Sequence, residues 1–390
     1  MKILIFAEVY YPDVMGGGEF STKQMAEGLA AMGHEIVVFC LGETDQSEEI
    51  NGVLVRRRYL PGLSEHFLSI TKISRFQRPM TPLKKCTAKW PDLFYSRRWY
   101  ERYLSVIKKE HPDAVHTASP MAYLGLVNLW KAAYDSKLPV SHTARSDRLL
   151  RLNAFGGRLD GFYARKNAVA SSYLTALAAP SHFMLDRHHS MGIRGRRFNE
   201  VIYNAVDFDP VPLSAELVKQ KENMVLYAGE ISEKKGIRTL LQAMDKKDDL
   251  RLLLIGNGAL ADTLKKEGRA DMIGWIEREA LYAYMKKAKV VVLPSKWNEP
   301  FGRILVEALF LGTIAIGSDR GGIPEVLGHN SDYIFESGDS AGLRELITRV
   351  IHLSERDYVQ EVLRQRQALP DCTGAAYTKN WERFFLQQLT

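Results

Sequence analysis

The sequence predicts an α/β protein with two doubly wound domains, in which helices cover both faces of a parallel sheet. Short apolar segments alternate with amphipathic segments along the chain, and this alternation starts again in the C-terminal half. Short buried strands alternating with helices are typical of parallel sheets. The length of 390 residues also suits two domains, because one domain usually takes about 100–200 residues.

The first half of the chain begins with an apolar strand, MKILIFAEVY, and a glycine run. An amphipathic helix is predicted over residues 19–32, and Gly33 follows it at the position where glycine often ends a helix. Further strands are predicted in the stretches EIVVFC, DAVHTASP, LPVSHTA and YLTALAAPS.

The second half repeats the pattern, with strands predicted in NMVLYAG, LRLLLIG, AKVVVLP and GTIAIGS. Residues 204–212 interrupt both periodicities and contain two prolines, so we expect a linker there. The segment at about 375–390 is predicted to form an amphipathic helix that must dock on an apolar surface. We therefore predict a first domain of residues 1–205 together with the helix at about 375–390, and a second domain of residues 206–374.

The composition excludes several classes of protein. With 46% hydrophobic and 25% charged residues, the chain is not intrinsically disordered. Its three cysteines lack the spacing of a zinc site, which favours a reducing compartment. No apolar run approaches the roughly 18 residues needed to span a bilayer, and the N-terminus is predicted to be a strand and not a signal peptide. We expect a cytoplasmic protein, with peripheral attachment to the inner face of the membrane as an open alternative.

Most of the positive charge lies in one segment. The chain has 53 Lys and Arg against 46 Asp and Glu, a net charge of +7. Residues 56–109 alone contain fourteen Lys and Arg against three acidic residues, with aromatic residues between them. Such interleaving suits an anionic membrane surface or single-stranded nucleic acid, and a solvated face with its aromatic residues in the core has the same pattern. We favour reversible contact with anionic lipid and expect no nucleic-acid partner.

The most informative motif is the segment of residues 294–328. Glu299 is predicted in a loop after a strand, and a helix is predicted to start near Gly302 and end near residue 311. This helix is apolar around nearly its whole circumference, so Glu307 in its middle is expected to be buried and to need hydrogen-bond donors. Ribose hydroxyls would supply them, as would an ion pair with Arg303 one turn earlier. The start of the helix favours a phosphate, with Glu299 facing whatever the phosphate carries.

A second motif lies at residues 226–244. A strand ends before Gly229, and Lys234 and Lys235 precede Gly236 and an amphipathic stretch. A lysine beside a helix start suits a diphosphate, although this motif taken alone favours a solvated lysine pair at a turn. Two such strand ends in one parallel sheet predict a ligand that bridges them at the carboxyl edge.

These motifs, together with others in the same order, identify a resemblance over nearly the full length. The others are Gly16-Gly17-Gly18-Glu19, Gly33-His34, Pro180-Ser181, Asn204-Ala205-Val206-Asp207, Gly256-Asn257-Gly258 and Gly321-Gly322-Ile323-Pro324-Glu325. The chain resembles a family 4 glycosyltransferase of the GT-B fold, in which two facing Rossmann-like domains enclose an interdomain cleft. The resemblance implies retaining transfer of a sugar from a nucleotide-sugar donor to the hydroxyl of a glycan or lipid-linked acceptor. It also implies no metal or other cofactor, and a role in assembling a cell-surface glycan such as lipopolysaccharide, capsule or exopolysaccharide.

The resemblance also implies roles for individual residues and domains. The first domain would bind the acceptor and the second the nucleotide-sugar. Glu299 would bind the donor sugar, Lys235 would neutralise the diphosphate, and Glu307 would hold the ribose. By the same implication, the catalytic residues are Glu299, Lys235 and Arg145, and the acceptor-binding residues are Glu19 and His116. The donor-binding residues are Gly17, Gly18, Gly229, Gly256, Phe301, Gly302, Arg303 and Glu307.

The chain departs from the family pattern at three positions. Glu230 stands where the family has an arginine for the diphosphate, Ala118 replaces a histidine, and Arg145 holds a later histidine position. Either another cation such as Arg303 or Arg145 takes over from the missing arginine, or the protein is catalytically silent and binds a sugar nucleotide or a partner.

Other motifs point to activities that we set aside. Residues 256–261 imitate a dinucleotide fingerprint but lack the carboxylate that NAD binding requires at the end of the following strand. Residues 207–209 imitate a metal-binding motif but fall in the predicted linker.

Overall fold

The computed structural model describes residues 1–13, 16–59, 96–118, 125–150, 165–244 and 250–390. The chain divides into two compact units. Unit 1 comprises Met1–Tyr203 and Gly374–Thr390, and unit 2 comprises Asn204–Thr373. Both units contain a predominantly parallel sheet with helices, which confirms the predicted α/β class.

The described part of unit 1 contains an eight-stranded sheet with the order β3-β4-β2-β1-β5-β6-β7-β8. Its strands are β1 (Lys2–Phe6), β2 (Glu35–Leu41), β3 (Gln46–Ile50), β4 (Val53–Arg58), β5 (Ala114–Thr117), β6 (Val140–Thr143), β7 (Ala176–Ala179) and β8 (Phe198–Val201). β3 and β4 are antiparallel, whereas the pairs from β4 across to β8 are parallel. The central strands are buried along almost their whole length because both faces are covered.

Helices flank this sheet. In chain order they are α1 (Gly17–Ala31), α2 (Arg97–Glu110), α3 (Leu126–Asp135) and α4 (His182–Ser190). Two short 3-10 turns, Asp147–Leu149 and Ser171–Tyr173, join strands and helices.

The sheet of unit 2 is parallel throughout the described residues, with six strands in the order β11-β10-β9-β12-β13-β14. The strands are β9 (Glu222–Ala228), β10 (Arg251–Ile255), β11 (Asp271–Ile273), β12 (Ala288–Leu293), β13 (Ile314–Ser318) and β14 (Ile334–Phe335). A 3-10 turn, Glu233–Lys235, follows β9.

The helices of unit 2 are α5 (Ala215–Lys219), α6 (Ile237–Ala243), α7 (Ala261–Glu267), α8 (Arg278–Lys287), α9 (Arg303–Phe310), α10 (Ile323–Leu327), α11 (Ser340–Ile351) and α12 (Glu355–Ala368). The last helix of the chain, α13 (Gly374–Leu389), belongs to unit 1. Leu305, Val306, Ala308 and Leu309 of α9 are all fully buried, as the apolar circumference of that segment predicts.

The hairpin of β3 and β4 was not predicted, and it changes the interpretation of the basic segment. Its turn, Asn51-Gly52, has positive φ at both residues, as a type I′ hairpin turn requires. Arg57 of β4 is 3% exposed, and its Nε lies 2.6 Å from the Glu48 Oε1. Arg56 Nε lies 2.8 Å from the Glu110 Oε1. Arg56 and Arg57, the first two cations of the 56–109 segment, therefore form ion pairs within unit 1.

Most of the remaining basic segment, residues 60–95, lies outside the described residues. No helix in the described ranges combines the length and apolar character needed to cross a bilayer.

Candidate active site

The loops that follow two adjacent strands of unit 2 bring Lys235 and Glu299 together. Because β9 and β12 pair in parallel, both loops leave the same edge of the sheet, the edge at which open α/β sheets bind ligands. The Lys235 Nζ lies 2.6 Å from the Glu299 Oε1, and the two side chains are 20% and 11% exposed. Two residues selected from separate motifs therefore form one charged pair with some access to solvent.

Backbone hydrogen bonds connect the loops around this pair. The Trp297 amide donates to the Lys234 carbonyl oxygen at 2.9 Å, and the Gly322 amide donates to the Glu299 carbonyl oxygen at 2.7 Å. Loops after the neighbouring strands β9, β12 and β13 thus position Glu299 together. Side chains held in this way are preorganised, which is what electrostatic catalysis requires.

Gly229 and Gly256 lie where two further loops touch. Gly256 has a φ of 137°, and a Cβ atom there would lie 2.0 Å from the Gly229 carbonyl oxygen. The Ile231 amide donates to the Asn257 carbonyl oxygen at 2.9 Å. The loops after β9 and β10 approach so closely that a side chain at residue 256 would collide with backbone. Only glycine fits at this position.

Glu307 is buried and surrounded by donors from two helices. It is 4% exposed, and its Oε1 accepts from the Arg303 Nε at 3.0 Å. The Arg278 Nη2 on α8 also contacts this oxygen, and the Tyr282 hydroxyl lies 3.5 Å from it. The ion pair with Arg303, one of the two predicted solutions for this carboxylate, is therefore present. Burial and the Glu307 charge raise the pKa of Tyr282, so its hydroxyl stays protonated and able to donate.

Glu230, the departure from the family's arginine, lies in an exposed ion pair. Its Oε2 is 2.8 Å from the Lys234 Nζ, and both side chains are about half exposed. Its carbonyl oxygen accepts from the buried Tyr227 hydroxyl at 2.8 Å. The carboxylate is thus neutralised by Lys234, while the adjacent Lys235 pairs with Glu299.

Phe301 and Gly302 immediately precede α9, and Gly302 is its N-cap. The Phe301 side chain is 2% exposed, so it packs in the core of unit 2. The Phe301 side chain is therefore a core residue, and its burial does not fit the predicted contact between this side chain and the donor.

In unit 1, the structure brings the start of α1 and Arg145 together. Gly17 and Gly18 begin α1, and the Glu19 Oε2 accepts from the amide of the N-cap residue Gly16 at 2.8 Å, which is the part of a capping box that a glycine N-cap allows. The Arg145 Nη1 donates to the Gly18 carbonyl oxygen and to the Thr22 Oγ1, both at 2.5 Å. Arg145 therefore braces the first turn of the helix that follows the glycine run.

His116 does not lie where an acceptor could reach it. Its side chain is fully buried, with Nδ1 2.9 Å from the Ser141 Oγ and Nε2 2.9 Å from the Thr143 Oγ1. Its ring packs edge-on against Trp381 and Phe385 of α13. Burial lowers its pKa well below the ordinary range. His116 is a hydrogen-bonded core residue, which corrects its prediction as an acceptor-binding residue.

Two family models match consecutive parts of the chain. The model described as Glycosyltransferase Family 4 matches residues 15–210, and the model described as Glycosyl transferases group 1 matches residues 213–365. The chain is a family 4 glycosyltransferase.

Relatives match this glycosyltransferase over most of their length. It is 25% identical over 341 residues to an uncharacterised 42.6 kDa protein in the cps region of Klebsiella pneumoniae, with 84% of this chain and 87% of the relative covered. It is 27% identical over 375 residues to TuaC of Bacillus subtilis, with 90% of each chain covered. The name of TuaC assigns it provisionally to teichuronic acid biosynthesis as a glycosyltransferase.

Solved structures establish the fold of the glycosyltransferase. HepE from Anabaena, crystallised in complex with UDP and glucose, superimposes with a TM-score of 0.69 at 18% identity, covering 99% of this chain and 100% of HepE. At that identity the likeness shows fold alone, and the fold is GT-B, with two Rossmann-like domains.

Two residues of the candidate site, Arg278 and Tyr282, were not predicted from the sequence. Both lie on α8 and reach Glu307 on α9. Their spacing of four residues places them on one face of a helix, but nothing in the sequence indicates that this face meets α9.

Proposed function

We propose that this glycosyltransferase moves a sugar from a nucleoside-diphosphate donor to an acceptor hydroxyl with retention of configuration and without a metal. We further propose that it acts in the assembly of a cell-surface glycan. The observation that carries the proposal is the Lys235–Glu299 pair at the carboxyl edge of the unit 2 sheet, 2.6 Å apart. A cation and a carboxylate side by side match a donor that presents a diphosphate next to sugar hydroxyls.

The pair would work by charge. Breaking a glycosyl–phosphate bond develops negative charge on the diphosphate and positive charge on the sugar ring. Lys235 would stabilise the leaving diphosphate, and Glu299 would accept hydrogen bonds from the sugar hydroxyls. Preorganised donors aimed at developing charge are worth about 10²–10³ in rate each. The complex of HepE with UDP and glucose supports a nucleotide-sugar as the donor.

The ribose would bind at Glu307. Arg278 and Arg303 contact one of its oxygens, and they would orient the carboxylate for the ribose hydroxyls. The triad of two arginines and one carboxylate has a net positive charge. It would therefore supply positive charge in place of the family's arginine, whose position Glu230 occupies in this chain.

Two relatives support the proposed biological role. A protein in a cps region and a protein assigned to teichuronic acid biosynthesis both align over most of this chain. We propose that the acceptor is likewise a growing glycan or a lipid-linked glycan, and that unit 1 binds it.

The test is product formation with a panel of UDP-, GDP- and ADP-sugars. We expect one donor to release its nucleoside diphosphate, and NMR of the product to show the anomeric configuration of the donor. Release should disappear in Glu299→Ala and persist in Glu230→Ala, which removes an exposed carboxylate from the same edge of the sheet. Equal loss in both variants, or an inverted product, would refute the proposed mechanism.

A catalytically silent sugar-nucleotide-binding protein is the second candidate, and Glu230 is the observation that favours it. It predicts saturable binding of a sugar nucleotide with no release of diphosphate from any member of the panel. Calorimetry alongside the release assay separates the two functions.

A further inference from the structure

The C-terminal end of α9, the helix that carries Glu307, is held by a side chain from another helix. Arg366 of α12 donates from its Nε to the Leu309 carbonyl oxygen at 2.7 Å and from its Nη2 to the Phe310 carbonyl oxygen at 2.9 Å. The last carbonyl groups of a helix have no partner within the helix, and a cation at this end also interacts favourably with the helix dipole. Arg366 therefore caps α9.

The same guanidinium group reaches the segment that precedes α5. Its Nη1 donates to the Val211 carbonyl oxygen at 3.0 Å, and the Val211 amide donates to the Phe310 carbonyl oxygen at 2.8 Å. Earlier in this segment, the ring of Phe208 packs edge-on against the rings of Tyr282 and Phe310, with centroids 4.9 and 6.3 Å away. The guanidinium is thus connected to α9 directly and to α8 through residues 208–211.

The helix that carries this guanidinium, α12, is itself fixed to the sheet of unit 2. The Gln365 side chain accepts from the Ala315 amide at 3.1 Å and donates to the Ala315 carbonyl oxygen at 2.7 Å. The Tyr358 hydroxyl accepts from the Ile314 amide at 3.1 Å and donates to the Lys289 carbonyl oxygen at 2.6 Å. These partners belong to β12 and β13, so the guanidinium reaches α9 from a fixed support.

The charge of Arg366 has only backbone partners among the described residues. The side chain is partly buried, and burial lowers its pKa to about 10, so it stays charged at neutral pH. Taking a charge out of water is unfavourable, and its partners offset that cost only where their geometry is good. Three carbonyl oxygens within 3.0 Å of one planar guanidinium meet this condition. The group therefore fixes three backbone positions relative to one another, which a nonpolar side chain of similar size would not do.

We propose that Arg366 is a positioning residue of the donor site, which acts by holding α9 and thereby the carboxylate of Glu307. The proposal rests on the proposed function, because Glu307 is the residue at which the ribose is proposed to bind. Glu307 lies within one helical turn of both α9 carbonyl groups that Arg366 holds. Release of the helix end would therefore displace this carboxylate, and a small displacement of a group that positions a substrate has a large effect on binding and rate.

The first test is calorimetry of Arg366→Met with whichever of UDP, GDP and ADP binds the wild type most tightly. Tyr358→Phe is the matched control, because it removes a buried hydroxyl from the same helix that bonds to the sheet and not to α9. We expect Arg366→Met to bind at least about fivefold more weakly than the wild type, and Tyr358→Phe to bind within about twofold of it. Each variant is measured at a temperature at which thermal unfolding shows it folded. If Arg366→Met does not fold, Arg366→Lys, which keeps the charge but lacks the planar fork, replaces it with the same expectation.

A double-mutant cycle separates positioning from a general loss of stability. In the Glu307→Gln background, Arg366→Met should change the affinity for the nucleotide by less than about twofold, because Arg366 acts through the Glu307 carboxylate. An equal loss of affinity in both backgrounds, or an equal loss in Tyr358→Phe, would overturn the proposal.

Hydrogen exchange tests the same contact without a nucleotide. The amides of residues 307–311 should exchange at least about tenfold faster in Arg366→Met than in the wild type, and at an unchanged rate in Tyr358→Phe. Unchanged exchange in Arg366→Met would overturn this inference, even if the wild type releases nucleoside diphosphate from a donor. Faster exchange together with no binding of any nucleotide to the wild type would support the anchoring of α9 by Arg366 and refute only the proposed function.

Discussion

At the scale of single residues, two adjacent lysines have different partners. Lys234 pairs with the exposed Glu230, and Lys235 pairs with the largely buried Glu299. This division shows how the chain keeps a carboxylate at the position where its family has an arginine. The negative charge of Glu230 is balanced locally, and Lys235 retains a separate partner at the sheet edge.

Glu307 is predicted to be essential for stability as well as for binding. Arg278 and Arg303 are 17% and 11% exposed and share its carboxylate. Glu307→Ala would leave two nearly buried cations without it, and breaking a buried ion pair typically costs about 3–5 kcal/mol. Urea unfolding measures the loss in the free energy of unfolding. The control is Asp271→Ala, which removes a partner of the half-exposed Arg251 and should cost less than about 1 kcal/mol. Equal losses in the two variants would contradict this account of Glu307.

Gly256→Ala is predicted to destabilise unit 2 much more than Gly268→Ala. Both glycines have positive φ, but a Cβ at Gly256 would meet the Gly229 carbonyl oxygen at 2.0 Å, while a Cβ at Gly268 meets nothing within 4 Å. The shared backbone strain is about 1–2 kcal/mol. The collision should add at least about 2 kcal/mol to the cost at Gly256. Similar midpoints of thermal unfolding for the two variants would show that the two loops separate freely.

At the scale of helices and strands, the terminal helix α13 supplies part of the core of unit 1. Its Tyr377, Trp381, Phe384 and Phe385 are buried, and α13 packs against α1 and β5. The amphipathic pattern of residues 375–390 indicates that the helix must dock, but it does not identify the surface. That surface includes His116, whose ring packs against Trp381.

Trp381→Ala is therefore predicted to destabilise unit 1 by about 3–5 kcal/mol, as is usual for removing a buried tryptophan. Leu386→Ala on the same helix should change stability by less than about 0.5 kcal/mol, because Leu386 is 47% exposed. Urea unfolding curves provide the comparison. A small effect of Trp381→Ala would mean that α13 is dispensable for the fold.

The sequence predicts much of the fold because most strands are short apolar runs between helical stretches. It misses the β3–β4 hairpin, since Gln46–Ile50 is largely polar and lies at the sheet edge. The Asn-Gly pair at its turn is typical of a β-hairpin and could have predicted it.

For the candidate site, the strand-end loops placed Lys235 and Glu299 correctly at one edge. Arg278 and Glu307 are 29 residues apart in the sequence, and only the packing of α8 on α9 brings them together. His116 was assigned to the acceptor from the family resemblance, and a short strand buried on both faces shows no periodicity that would have marked it as a core residue.

At the scale of the whole molecule, buried histidines make stability depend on pH. Burial lowers the pKa of His142 to about 3 and that of His188 to about 4, and it also lowers the pKa of His116. In the unfolded chain these groups bind protons near pH 6.5. The unfolded state therefore binds more protons than the native state between about pH 7 and pH 4, and the free energy of unfolding falls as the pH falls through this range.

Unit 1 should accordingly lose stability on mild acidification. Urea midpoints at pH 7, 6 and 5 should decrease for the transition that includes unit 1. Unit 2 is an internal comparison between pH 6 and pH 5, because its two histidines, His329 and His352, are exposed. Burial lowers the pKa of Lys221 to about 7, so the stability of unit 2 should depend on pH mainly above that range. A constant or rising midpoint for unit 1 between pH 7 and pH 5 would contradict the burial of these side chains as neutral groups.

The central claim is that a nucleoside diphosphate binds beside Lys235 at the carboxyl edge of the unit 2 sheet. Calorimetry with UDP, GDP and ADP on the wild type, Lys235→Ala and Lys234→Ala tests it most directly. We predict that one diphosphate binds the wild type and binds Lys235→Ala at least tenfold more weakly. The loss in Lys234→Ala should be smaller, because that change only leaves the surface carboxylate of Glu230 without its cation. Undiminished binding to Lys235→Ala, or no heat with any of the three nucleotides, would contradict it.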